Sequence, residues 1–126
     1  MSDKQFRFQD LEIWIHAARF SPELFLLADK LEKRRFFRFA EQLRAATLSI
    51  TNNIAEGSGS TSDVDFANFL NMARRSTFEV ANILFILDNN GYLPGIDVAA
   101  TVRSLEEESK MLLAFIRSLK AAALKR

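Results

Sequence analysis

Asn53, Glu56, Ser76 and Glu79 are the residues whose types and spacing come nearest to a chemical site in this chain. Asn53 lies three residues after Ile50 and four before Gly57, which on a helix puts its amide on the apolar side, where it must find hydrogen-bond partners. Ser76 and Glu79, spaced by three in the run ARRSTFEV, would face it if the two segments pack antiparallel. Two chemistries follow. The simpler is a polar layer that fixes helix register, as buried polar residues do in coiled coils. The alternative is a small-ligand or catalytic pocket built on Asn53, Glu56 and Glu79 near a subunit boundary.

Other reactive groups argue against catalysis. His16 is the single histidine, and it shares a helical side with Glu12, Arg19 and Glu23, so it is expected at the solvated surface. Glu106, Glu107 and Glu108 are expected on a solvated face as well. A di-iron carboxylate bundle needs Glu-x-x-His pairs on two helices, and the sequence has none. The run GSGSTS is not followed by the Gly-Lys-Ser/Thr ending of a phosphate loop, which makes it a connector. Zero cysteines remove thiolate metal sites and disulfides. The expectation is a non-enzyme without cofactor or metal.

The run KLEKRRFFRF makes the strongest bid for a partner. Lys30, Lys33, Arg34, Arg35 and Arg38 stand against Glu32 alone. The two lysines suit the negative end of a first helix, whereas the arginines fall near the positive start of a second, where the dipole disfavours them. Guanidinium groups bind phosphate bidentately, and Phe36 or Phe37 would add stacking to a nucleic acid. Solubility and bridges to a neighbouring subunit compete with that explanation. The net charge of +1 confines any nucleic-acid contact to a local patch.

The elements that position these groups are helical. From Asp10 onward, Leu11, Trp14, Ile15, Ala18 and Phe25 form one stripe, and Ile13, Ala17, Phe20, Leu24, Leu27 and Leu31 a second. Two stripes on one helix leave a face for a neighbouring subunit, and Ile13, Phe20, Leu24 and Leu27 are expected to supply that contact. Pro22 is expected to kink the segment rather than restart it. A second helix carries Phe36, Phe39, Leu43, Ala46, Ile50 and Ile54 and stops at Gly57 as a left-handed cap. Ser62 with Asp65 opens a third, which carries Phe66, Phe69, Ala73, Val80, Leu84 and Leu87 and ends at Asn89, Asn90 and Gly91. A fourth repeats by sevens through Val98, Leu105, Leu112 and Leu119, with Val102, Ser109 and Ile116 beside them. Four helices with short links predict an all-α, antiparallel up-and-down four-helix bundle, one domain over 1–126. No apolar run reaches the length of a membrane span and MSDKQFRFQD has no apolar signal core, so the expected compartment is the cytoplasm.

DLEIW, QLR, SITNNIAEG, FLNMARRSTFE, GYL and MLLAFIRSLK, in that order, give the chain a resemblance to the four-helix-bundle family of 23S rRNA intervening-sequence proteins. The family's central signature, S-I-x-x-N-I-A-E-G, is matched at Ser49, Ile50, Asn53, Ile54, Ala55, Glu56 and Gly57. The chain departs from the family pattern at Arg75, where glycine is usual, at Thr51, where proline is common, and at Ser60, where a basic residue often stands. The resemblance implies an up-and-down bundle, often a homopentamer, with no established enzymatic activity. Some members are encoded within intervening sequences of large-subunit rRNA genes. A related accessory protein of diversity-generating retroelements works with nucleic acid and a reverse transcriptase. The partners expected by resemblance are therefore further copies of the chain, and RNA or a nucleic-acid-associated protein.

Overall fold

The computed structural model describes residues 4–125. A 3-10 turn at Arg7–Asp10 leads into four helices, α1 (Glu12–Lys33), α2 (Phe37–Ser58), α3 (Asp63–Asn89) and α4 (Ala99–Leu124). No strand occurs among the described residues. The chain is an all-α, antiparallel up-and-down four-helix bundle in which α1 packs on α2, α2 on α3 and α3 on α4, with a sparser α1–α4 seam closing the ring.

The core is where the periodicity puts it. Leu43, Ile50, Ile54, Leu70, Leu84 and Leu112 are fully buried, and each belongs to a three-and-four stripe of its own helix. The stripe of α1 expected to be left over for a neighbouring subunit is part of this core: Ile13, Phe20, Leu24 and Leu27 are all buried within the chain. Its other stripe is half-buried, with Trp14, Ala18 and Phe25 flanking the first on the same helix. Only Leu11 and Trp14 of it pack against the core, so the first stripe is consumed in the monomer and the second is covered in part. The large apolar side chains that do remain exposed include Phe78, Phe85 and Ile86 of α3.

One helix end, at Gly57, differs from expectation. Pro22 lies inside a continuous α1, and Ser21, instead of capping a new helix, donates its hydroxyl to the Ala17 carbonyl at 2.7 Å. Gly57 is not a left-handed cap; α2 runs one residue further, and Gly59 closes it with right-handed geometry. A Cβ built on Gly57 would come within 2.6 Å of Phe69 Cβ and 2.9 Å of Phe66 Cδ1, so this glycine lets α3 approach. Gly91 does take the left-handed role after α3, with φ 72° and the Tyr92 amide donating to the Leu87 carbonyl. The Ser62 cap holds, its hydroxyl accepting from the Asp65 amide at 3.0 Å.

Candidate nucleic-acid interface and polar network

The polar residues of the signature meet at the α2–α3 seam, but near the surface. Asn53 is half-buried, and its amide donates within its own helix to the carbonyl and hydroxyl of Ser49 at 2.9 and 3.0 Å. The crossing is made by serines, Ser76 Oγ donating to Ser49 Oγ at 2.9 Å. Glu79 is exposed and accepts from Gln42 Nε2 at 2.5 Å. Glu56 is exposed and takes no part in this network. Ser49, Asn53, Met72, Arg75, Ser76 and Glu79 line an open groove of about 440 Å³. Of the expected buried layer Ser76 is buried, Asn53 is half-buried and Glu56 and Glu79 are exposed, so the network, joined through Ser49, runs from the seam out to the surface.

The acidic run and the histidine depart furthest from expectation. His16 Nδ1 lies 2.8 Å from Glu108 Oε1, bridging α1 and α4, and Glu107 Oε2 is 3.4 Å from His16 Nε2. The Glu108 side chain has no exposed surface, while that of His16 is 20% exposed. Burial first, and the neighbouring Glu107 charge second, push the Glu108 carboxyl up to about 8. Neither residue is the solvated side chain that its neighbours in sequence suggest. The periodicity holds the missing signal: Glu108 sits three after Leu105 and four before Leu112, squarely in the core stripe.

At one end of the bundle the α1–α2 turn meets the α3–α4 loop, and the basic run is found there. Lys30, Lys33, Arg34, Arg35 and Arg38 are all exposed. Arg34 is committed, its guanidinium donating to the Tyr92 carbonyl and lying 4.8 Å from the centre of the Phe36 ring. Phe36 and Phe39 both pack against Tyr92, at 4.9 and 5.8 Å between ring centres. Phe36 precedes α2 and packs with Tyr92 against the edge of the core, and Phe39 is more than one-third exposed, so these rings tie the two connections together. Phe37 is exposed beside them.

The dipole argument also changes in this setting. Arg34 is the C-cap of α1, and its charge sits at the negative end of that helix; only Arg38 is inside the first turn of α2. Arg35 carries a different cost. Its φ is 68°, and its amide and that of Phe36 donate to the Glu32 and Leu31 carbonyls, the hydrogen-bond pattern that usually selects glycine. Arg35 is the sole non-glycine residue with positive φ among the described residues. Lys30, Lys33, Arg35 and Arg38 have no ion-pair partner among the described residues, whereas Glu32 and Asp29 are both taken by Arg44 at 2.8 and 2.7 Å.

Fold and surface together define a small helical bundle with a basic, aromatic end and a hydrogen-bonded polar seam. The chain belongs to the family of 23S rRNA-intervening sequence proteins, which matches it over residues 9–114. No curated protein and no solved structure gives a significant match to the chain. Among the described residues no helix is long and apolar enough to cross a membrane.

Proposed function

We propose that this protein is a non-enzymatic, self-associating scaffold of the cytoplasm that binds RNA through the basic end of the bundle. The observation that carries the reading is Arg35: an arginine held in a conformation that glycine adopts without cost, exposed, unpaired among the described residues and flanked by the exposed Phe37 and Arg38. Strain retained at the surface points to a role outside the fold. The family's name associates it with 23S rRNA, which favours phosphate over other anions.

The polar seam supports a scaffold better than a ligand pocket. Asn53 and Ser76 each bond to Ser49, and Glu79 bonds to Gln42, so these groups serve to join the helices. Self-association, pentameric by resemblance, is assigned to the exposed apolar residues Phe78, Phe85 and Ile86 of α3, since Ile13, Phe20, Leu24 and Leu27 of α1 are buried within the chain. A ring would repeat the basic end on every subunit and multiply weak single contacts.

The test is a titration of labelled 23S rRNA fragments at two salt concentrations with wild type and with the Lys33→Glu, Arg35→Glu, Arg38→Glu triple variant. Arg34 is left intact because it ties the two loops. Wild-type affinity should fall steeply with salt, and the variant should bind more weakly with a shallower slope. Equal binding by both proteins, or none by either at low salt, overturns the RNA reading.

A further inference from the structure

Beside the cationic surface is a cavity of about 460 Å³ between the end of α1 and the loop that joins α3 to α4. Its apolar lining includes Leu27, Leu31, Leu93 and Ile96, of which the first three are buried core residues. Lys30, Lys33 and Arg34 supply the charge, and no acidic residue lines it. Tyr92, Pro94 and Gly95 complete the loop side. One wall is fixed in advance, because Arg34 is tied to the Tyr92 carbonyl and stacked over Phe36.

We infer that this cavity receives a single unpaired nucleotide of the bound RNA, its base against Ile96, Tyr92 and Pro94 over a floor of Leu27 and Leu93, and its phosphate between Lys30 and Lys33. The inference rests on the RNA-binding reading above and specifies which RNA the site takes. A duplex presents phosphates but keeps its bases stacked, so it satisfies the cations and leaves the apolar lining uncovered. An extruded or single-stranded nucleotide brings a flat apolar face and an anion together, which is the combination the cavity offers. Its volume falls in the range of small-molecule sites. A smaller recess of about 200 Å³ shares Leu27, Lys30 and Ile96 with it and adds the carboxylates of Glu23 and Asp97. Those oxygens accept hydrogen bonds, which favours a base with an exocyclic amino group over one without.

Three RNA hairpins, each closed by a non-nucleotide linker so that the loop offers no base, decide it: one fully paired, one with a single bulged adenosine, and one with an abasic residue at the bulge. The last two carry the same phosphates and differ only in the base. Wild-type protein at low salt should bind the bulged-adenosine hairpin about tenfold more tightly than either other RNA, the size of one stacked base. Ile96→Trp, which fills the cavity, should erase that preference while leaving binding to the paired hairpin unchanged. Lys30→Gln, at an exposed position that the fold does not need, should weaken the bulged RNA more than the paired one. Equal wild-type affinity for the bulged and abasic hairpins overturns the nucleotide pocket and leaves the phosphate-binding surface standing. Retention of the preference by folded Ile96→Trp overturns the location. Failure to bind any of the three at low salt overturns the RNA reading and the pocket together. Should Ile96→Trp not fold, the comparison of the three RNAs on wild type and Lys30→Gln decides alone.

Discussion

His16 Nδ1 stands 2.8 Å from Glu108 Oε1, so the single histidine of the chain is spent on holding a carboxyl that the α1–α4 seam buries completely. With Glu108 protonated, its O–H donates to Nδ1, and Nε2–H is directed at Glu107. The carboxyl ionises near 8 in the folded chain and near 4.5 in the unfolded one. The folded state therefore binds this proton more tightly, and stability is greatest below the unfolded value. It should decline as pH rises from about 4.5 to about 8, by a few kcal/mol in all, and level off above that. Thermal midpoints measured across this range check the slope, and Glu108→Gln should flatten it. A wild-type midpoint that climbs between pH 5 and 8 would contradict the burial of a neutral carboxyl.

Gly57→Ala should destabilise the bundle by about 1–3 kcal/mol, since the new methyl group meets Phe69 Cβ and Phe66 across the α2–α3 contact. Urea denaturation measures it. Gly59→Ala makes the control: its nearest new neighbour lies at 3.4 Å and the backbone there is right-handed, so its cost should be much smaller.

Arg35→Gly should raise stability by about 1 kcal/mol by relieving the left-handed conformation at the end of α1. The same substitution should weaken RNA binding. A thermal midpoint and an RNA titration on one purified variant thus separate what the residue costs the fold from what it contributes to the surface. Loss of stability in Arg35→Gly would show that the side chain supports the turn and would remove the reason to seek a partner for it.

Thr47 is fully buried in α2, and its hydroxyl has no hydrogen-bond partner among the described residues. Thr47→Val keeps the shape and removes the unsatisfied group, so it should stabilise by about 1 kcal/mol. Chemical denaturation of the two proteins gives the sign directly.

The helices, their order and their core-facing residues were legible in the sequence, because a period of three and four residues is a property of each segment alone and the rarity of glycine and proline marks where segments stop. Ser62 as a cap and the end of α3 at Asn89–Gly91 followed from local backbone chemistry in the same way, whereas the left-handed cap falls at Gly91 and not at Gly57. What tertiary structure decided was the partner of each polar or ambiguous group. Glu108 looks solvated beside Glu106 and Glu107, yet a helix turns it through 100° per residue, and only the position of α1 brings His16 over it. Asn53 was read as buried by its spacing, but the depth of a seam residue depends on how closely two helices approach, which Gly57 controls from α2 and Phe69 from α3. The stripe Ile13, Phe20, Leu24 and Leu27 of α1 faces the core of its own chain, and one sequence segment cannot show how many of its faces its own chain will cover. The basic end joins residues 30–38 to 92–96, segments more than fifty positions apart, whose meeting is a consequence of antiparallel packing and whose cavity has no periodic signature in either loop.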